Sequence, residues 1–101
     1  MKQVEIDFDW DPEKARRNLR KHKLSFEQAA TVFQDPKALS VFDDDHSDDE
    51  ERWSIIGRAR EGAILVVVHT FHEEKTGDIA IRIISARLAV KREVRAYEAR
   101  L

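Results

Sequence analysis

Three arginines and one histidine are the residues of this chain best suited to reactive chemistry: Arg58, Arg82, Arg87 and His69. Arginine stays charged, and its planar fork can bind two phosphate oxygens at once. Histidine titrates near neutrality, so His69 could act as a base or as an acid. Together, these side chains could bind a phosphate and stabilise the negative charge that develops in a transition state.

Each of these residues also has a structural interpretation. Arg58 or Arg82 could face solvent or form an ion pair within its strand. Arg87 could pair with Glu93 or with a backbone carbonyl. His69 could be a core histidine whose hydrogen bonds are satisfied.

The elements that must position these side chains follow from periodicity and turn signals. Alternating or continuous apolar and β-branched residues predict strands over 4–10, 38–42, 53–60, 63–71 and 79–85. Two short helices are predicted, one capped by Asp11 and one running from the Ser25–Gln28 capping box to Asp35, with a last helix over 89–101. This order predicts an α+β fold of one domain, residues 1–101, in which helices cover one face of a three- to four-stranded antiparallel meander.

Hydrophobic patterning also predicts how two of the strands lie. Residues 63–71 are apolar on both faces and should form a central strand. Arg58 and Arg82 lie in the two strands expected to flank it and could share one face of the sheet. Residues 4–10 alternate, which predicts a half-buried strand at a sheet edge.

Helical spacing predicts which side of the first helix is buried. Ala15, Leu19 and His22 should line that side. Near the other end of the chain, the period changes from 2 to 3.6 around residues 85–87, which places Arg87 just before the last helix.

Charge is strongly segregated along the chain. The formal net charge is −2, yet seven acidic residues lie within 43–51, so the remainder is basic. One interpretation is solubility; the other is an anion-binding face and a separate acidic segment that binds a basic partner.

There is no cysteine, no signal peptide is visible, and no apolar run is long enough to span a membrane, which fits the cytoplasm.

A metal enzyme is the main alternative enzyme class. His69, His72, Glu73 and Glu74 are close in sequence, but residues three apart on an extended segment point to opposite faces. The acidic segment lacks the glycine and terminal spacing of a calcium-binding loop. No metal or other cofactor is therefore predicted.

Several stretches, taken jointly, resemble the BrnT family of type II toxins. They occur in the family's order and spacing over nearly the whole chain: Phe8-Asp9-Trp10-Asp11-Pro12-Glu13-Lys14, Asn18-Leu19-Arg20-Lys21-His22, Leu24-Ser25-Phe26-Glu27-Gln28-Ala29, Glu51-Arg52-Trp53, Ile56-Gly57-Arg58, Leu65-Val66-Val67-Val68-His69-Thr70, and Arg82-Ile83-Ile84-Ser85-Ala86-Arg87 followed by Glu93 and Tyr97.

This resemblance implies a RelE-like fold and a ribonuclease that inhibits translation. It also implies a BrnA-type antitoxin with a ribbon-helix-helix DNA-binding part. The toxin–antitoxin complex would repress its own operon, so operator DNA would be bound only through the antitoxin. RelE-like enzymes often rely on charge and positioning in place of a clear acid–base pair. We expect the acidic segment, residues 43–51, to help attract the antitoxin.

Metal-independent RNA cleavage uses the neighbouring 2′-hydroxyl as nucleophile and needs a base, an acid and cations. Arg58, Arg82, Arg87 and His69 are the first candidates, and Glu51 is a further base if the strand start brings it near Arg58; otherwise it is a solvated loop residue.

Four more residues are candidates for RNA binding. Lys21 and His22 end the first helix, where cations also favour the negative end of the dipole. Tyr97 could bind a phosphate, hold an arginine or pack under the sheet, and Trp10 could stack on a base or belong to the core. The non-enzymatic alternative is a co-repressor or adaptor that binds nucleic acid or an acidic partner without cleaving it.

Overall fold

The computed structural model describes residues 4–43 and 51–101. Its elements are β1 Ile6–Asp9, α1 Pro12–His22, α2 Phe26–Thr31 with a 3₁₀ turn at Val32–Gln34, β2 Leu39–Phe42, β3 Arg52–Arg58, β4 Ile64–Thr70, β5 His72–Glu73, β6 Ile79–Leu88 and α3 Lys91–Glu98. The predicted α+β class is confirmed, and the predicted elements occur in the predicted order, with the short strand β5 in addition to them. Of the acidic segment 43–51, residues 44–50 lie outside the described residues.

The sheet is mostly antiparallel, with strand order β1-β6-β4-β3-β2, and β5 pairs with the start of β6. β4 lies at its centre and β1 at an edge, as the sequence predicts. β1 runs parallel to β6, with Ile6 opposite Ile79 and Asp9 opposite Arg82. All four residues of β1 are exposed, so the predicted half-burial of this strand is wrong.

Helices cover both faces of the sheet, so the expectation that they cover one face is wrong. Leu65 and Val67 of β4 belong to the main core with α2 and the 3₁₀ turn, whereas Val66 between them packs with Ile56 and Tyr97 of α3. We call the sheet face that is covered by the helix hairpin of α1 and α2 the hairpin face, and the face that is covered by α3 the α3 face. The physical reason is visible in β4, because a strand that is apolar on both sides must be covered on both sides.

One buried polar residue attaches α1 to the sheet. Asn18 Nδ2 donates to the carbonyls of Leu24 (3.1 Å) and Ala86 (3.0 Å), and its Oδ1 accepts from the amide of Ala86 (3.0 Å). Leu19, predicted to be buried, is 50% exposed. The helix therefore turns Asn18, and not Leu19, toward the sheet. Apolar spacing does not predict this orientation, because the buried side chain is an amide with three hydrogen bonds to the backbone.

Gly57 lets the 3₁₀ turn approach β3 closely. A Cβ at this position would lie 2.7 Å from Val32 Cγ1 and 3.0 Å from Ala38 Cβ. The absence of a side chain therefore brings Asp35, which ends the 3₁₀ turn, next to β3. Its Oδ2 accepts a 2.8 Å hydrogen bond from the amide of Arg58.

β6 is longer than predicted and contains a β-bulge. Val68 pairs with Ser85 but His69 pairs with Ile83, so Ile84 is the extra residue. The bulge lets Ile83 and Ala86 both face the main core, although they are three apart. The predicted change to helical structure at 85–87 is wrong, because the strand continues to Leu88 and Arg87 is one of its residues.

None of the helices in residues 4–43 and 51–101 is long and apolar enough to cross a membrane.

Candidate functional site

Asp35, Arg58 and Tyr97 form a connected cluster where α3 meets the 3₁₀ turn. The Tyr97 hydroxyl donates to Asp35 Oδ2 at 2.7 Å. The Arg58 guanidinium lies over the Tyr97 ring, 5.8 Å from its centroid, and Nη1 donates to the carbonyl of Gly62 at 2.8 Å. Tyr97 therefore holds an arginine, one of the roles predicted for it. Because the side chain is 2% exposed, it offers RNA almost no contact surface.

Hydrogen bonds fix the protonation states in this cluster. Burial opposes ionisation of Asp35, but hydrogen bonds from the Arg58 amide, the Tyr97 hydroxyl and the Lys37 amide outweigh it, so the pKa of Asp35 is lowered. The same hydrogen bond to Asp35, together with burial, raises the pKa of Tyr97. Tyr97 thus remains a protonated donor and is unsuited to act as a base near neutral pH.

Arg87 and Glu93 form a bidentate ion pair at the start of α3. Arg87 Nη1 and Nη2 donate to the two Glu93 carboxylate oxygens at 2.7 and 2.8 Å. The Arg87 hydrogen bond lowers the pKa of Glu93 to about 2, and the same contact raises the pKa of Arg87. Glu93 also accepts from the amide of Val90, so the pair links the end of β6 to the first turn of α3. The predicted structural partner of Arg87 is therefore present.

Arg82 lies at the other end of the sheet from Arg58. It immediately precedes Ile83, the partner of His69, in β6, whereas Arg58 pairs with Ile64 at the start of β4. Some six residues of β4 separate the two positions, which is about 20 Å at the rise of a strand. Arg82 is well exposed and makes one ion pair, at 3.3 Å, with Asp9.

All three arginines nevertheless lie on the α3 face. Arg82 lies between Ile81 and Ile83, and Arg87 follows Ala86; those three apolar residues point into the main core. Arg58 is two residues after Ile56, which packs with Tyr97 of α3, so the two side chains share a face. The expectation that Arg58 and Arg82 share a sheet face is therefore supported by the pairing register, although they do not form one cluster.

A partly open row separates the two ends of this face. Ser54, Val68 and Ser85 pair in register across β3, β4 and β6. All three are half-buried, and none belongs to the apolar cluster that α3 covers. We call this row the open row. Arg58 and Arg87 lie on one side of it and Arg82 on the other.

His69 lies on the opposite face and is not brought together with the arginines. It is 4% exposed and packs edge-on against Phe33, with ring centroids 4.8 Å apart. Its Nδ1 donates to the carbonyl of Thr70 at 3.0 Å, and its buried Nε2 has no hydrogen-bond partner among the described residues. Burial lowers the pKa of His69, which favours the neutral ring.

Glu51 and Trp10 also lie away from Arg58. Glu51 immediately precedes Arg52, which pairs with Thr70 at the far end of β4. The Glu51 carboxylate accepts a 3.4 Å hydrogen bond from Trp53 Nε1. Trp10 packs against the main core and meets Phe26 edge-on, with centroids 5.9 Å apart.

Lys21 and His22 line a groove with two further cations. The groove has a volume of about 290 Å³ and runs between α1 and the bulge of β6, lined by Lys14, Arg17, Asn18, Lys21, His22, Ile84 and Ser85. No acidic residue within 4–43 and 51–101 lines it. We call this the cationic groove.

No three histidine or acidic side chains within the described ranges are grouped so that they could hold a metal ion. His69, one of the residues weighed for a metal site, is in the core, while His72 is exposed.

The sequence model of one protein family, described as the ribonuclease toxin BrnT of type II toxin–antitoxin systems, matches residues 10–93. The chain belongs to the BrnT family. The match covers most of the chain and confirms the family resemblance seen in the sequence motifs. BrnT proteins are ribonuclease toxins, so an RNA target and an antitoxin partner follow from membership. No curated protein matches the chain.

The BrnT match includes most of the residues described above but not all of them. Arg58, Arg82, Arg87 and Glu93 lie within it, whereas Tyr97 lies just beyond. Asp35 was missed as a site residue because Asp35-Pro36 is also an ordinary signal for the end of a helix. Its pairing with Tyr97 joins positions 62 residues apart, which local patterns do not reveal.

Proposed function

We propose that this BrnT-family chain is a metal-independent endoribonuclease that uses the α3 face of its sheet. One observation carries the proposal: Arg58, Arg82 and Arg87 all lie on this face, which α3 covers only in part. The reaction is attack of a 2′-hydroxyl on the adjacent phosphate. Arginines assist it because they balance the extra negative charge on phosphorus in the transition state.

The three arginines contribute differently. Arg58 is oriented by the Tyr97 ring and by Gly62, so one edge of its guanidinium is fixed while other donors remain for a phosphate. Arg82 forms an exposed ion pair with Asp9, which a phosphate can displace at little cost. Arg87 has both terminal nitrogens on Glu93, which is ionised, so it contacts a phosphate only when that ion pair opens.

Charge and positioning, not an acid–base pair, dominate this proposed chemistry. His69 is buried on the other face, and Tyr97 is held as a hydrogen-bond donor to Asp35. Glu51 is exposed at the end of the sheet that holds Arg82, so it is the remaining candidate base among the residues singled out in the sequence.

We also propose that the fold is RelE-like, that cleavage inhibits translation in the cytoplasm, and that a BrnA-type ribbon-helix-helix antitoxin neutralises the toxin and represses the operon with it. The four-stranded antiparallel meander, the helix hairpin and the C-terminal helix support the first point. Family membership supports the remainder. Co-purification with the neighbouring gene product, and an operator shift that needs that product, test these points.

The decisive experiment is inducible bacterial expression of the chain beside Arg58→Ala, Arg82→Ala and His69→Ala, with Arg16→Ala as the matched control. Arg16 is an exposed arginine of α1 whose ion pair is with Glu13. We expect growth arrest and RNA loss from the wild type and the control, with relief by the Arg58 and Arg82 changes. Normal growth with intact RNA, from folded wild-type protein at matched levels, would instead favour a non-catalytic binding module.

A further inference from the structure

The dipole of α1 accounts for a cation at Lys21, in the last turn, but not for the charges of Lys14 and Arg17 in the cationic groove. Lys14, Arg17 and Lys21 follow one another at i, i+3 and i+7 along α1 and line the groove together. Like charges one turn apart destabilise a helix by about 0.2–0.5 kcal/mol per pair. Lys14 also lies in the first turn, where the helix dipole disfavours a cation. Lys14 and Arg17 therefore destabilise the helix itself, whereas Lys21 lies in the last turn, where the dipole favours a cation.

Nearby acids neutralise this row only in part, because Glu13 interacts electrostatically with Arg17 as well as with Arg16. Glu13 is the acidic residue of the first turn, and its carboxylate is held by Arg16 Nη2 at 2.6 Å. Within residues 4–43 and 51–101, no carboxylate lies within salt-bridge distance of Lys14, Arg17 or Lys21. Three cations along about 10 Å of helix suit a ligand with repeated negative charges.

The end of β1 and the bulge of β6 create the groove. β1 stops opposite Arg82, so the edge of β6 beyond that point faces α1. Asn18 fixes the helix against this edge through Ala86. Ile84 and Ser85, at the bulge, form the side of the groove that belongs to the sheet.

Ser85 connects the groove to the arginine face. It lines the groove and also belongs to the open row, where it pairs with Val68. Arg82 is three residues earlier in the same strand, about 10 Å away along its axis. A strand of RNA lying in the groove therefore reaches the α3 face without crossing a helix.

We propose that the cationic groove binds the phosphate backbone of single-stranded RNA next to the cleaved linkage. Lys14, Arg17 and Lys21 contact successive phosphates, and the strand enters the arginine face over Ser85. This inference rests on the proposed ribonuclease function and adds to it the path of the substrate. Single strands fit better than a duplex because the cations of the groove form one row along a single helix.

The test compares two double variants of α1 with equal changes in net charge. Arg17→Gln/Lys21→Gln alters the groove, and Arg16→Gln/Arg20→Gln alters residues of α1 that do not line it. The probe is a single-stranded RNA carrying 2′-O-methyl groups throughout, which cannot be cleaved by 2′-hydroxyl attack. Binding is measured by fluorescence anisotropy over a range of salt concentrations, and cleavage of the unmodified RNA is measured in parallel.

We expect the groove variant to bind about tenfold more weakly and its salt slope to fall by about 1.4, since each phosphate contact on a single strand contributes about 0.7. The control variant should bind within about twofold of the wild type. The groove proposal would be overturned if both variants weakened RNA binding equally, if neither weakened it, or if the wild type did not bind RNA. So would a groove variant that keeps its RNA affinity and loses affinity for the antitoxin.

The two proposals fail in different ways. If the wild type binds the methylated RNA through the groove but leaves unmodified RNA intact, the nuclease proposal fails and the groove stands. If the wild type cleaves RNA and the groove variant binds like the wild type, the groove fails and the nuclease proposal stands. Urea unfolding of both variants shows whether either change affects folding.

Discussion

The hydroxyl of Tyr97 in α3 donates a 2.7 Å hydrogen bond to Asp35, which ends the 3₁₀ turn on the other side of β3. The same carboxylate oxygen accepts the amide of Arg58. Asp35 thus links α3 on one face of the sheet to the 3₁₀ turn on the other. Arg58 is held at this position by its backbone amide, which donates to Asp35, and by its side chain, which contacts Tyr97 and Gly62.

Tyr97→Phe tests this connection. The change keeps the ring under Arg58 and removes one hydrogen bond to a charged acceptor. We therefore expect the free energy of unfolding, measured by urea titration, to fall by about 1–3 kcal/mol. Tyr97 is the single tyrosine of the chain, so tyrosinate absorbance reports it alone. We expect its pKa to lie above the ordinary value in the wild type and to fall toward that value in Asp35→Asn. A normal tyrosine titration in the folded wild type would contradict the geometry.

Glu93→Gln tests the ion pair at the start of α3. Because the pKa of Glu93 is lowered to about 2, its contribution to stability is complete above its ordinary value of 4.5 and is lost as pH falls toward about 2. We expect Glu93→Gln to cost about 1–2 kcal/mol at pH 7, a figure reduced because Arg87 is partly exposed to solvent. The difference from the wild type should shrink steadily below pH 4.5. Glu98→Gln, an exposed glutamate of the same helix, is the control and should change stability little at any pH.

His69→Phe separates a core role from a catalytic one. Phenylalanine retains an aromatic contact with Phe33 but does not titrate. The pKa of His69 is lowered by burial, so the stabilisation from its neutral ring is complete above about pH 6.5 and is lost as pH falls below that value. Between pH 7.5 and 5, the wild type should therefore lose more stability than His69→Phe. RNA cleavage by the folded variant should persist, and its abolition would return His69 to the active site.

Asn18→Ala tests the attachment of α1. The change leaves the amide and carbonyl of Ala86 and the carbonyl of Leu24 without their partner. We expect a loss of about 3 kcal/mol or more in the free energy of unfolding. Asn18→Asp should be at least as damaging, since a carboxylate cannot donate to either carbonyl. Leu19→Ala, at the neighbouring exposed position, should cost less than about 0.5 kcal/mol, and the reverse order would contradict the observed orientation of α1.

Patterns within one element were read correctly from the sequence. The Asp11 cap, the Ser25–Gln28 capping box and the central position of β4 are all present. These features depend on residues a few positions apart, or on apolar content that is visible without partners.

Features that depend on distant partners were not predicted. The burial of Asn18 requires Ala86, 68 residues away, and the role of Asp35 requires Tyr97. The bulge at Ile84 shifts the alternation of β6, so a strict two-residue period ends too early and Arg87 is assigned to a junction. His69 is the clearest case, because β4 is apolar on both faces and its sequence does not indicate which face a polar side chain will take.

The position of β6 affects the order in which the protein can be made. This strand is synthesised after β1–β5, yet it pairs with β4, with β5 and, in parallel, with β1. Those strands therefore leave the ribosome before the partner that completes their sheet. A chain released before Arg87 would lack that arginine, and one released before Arg82 would lack both, so interrupted synthesis would yield fragments that cannot assemble the arginine face.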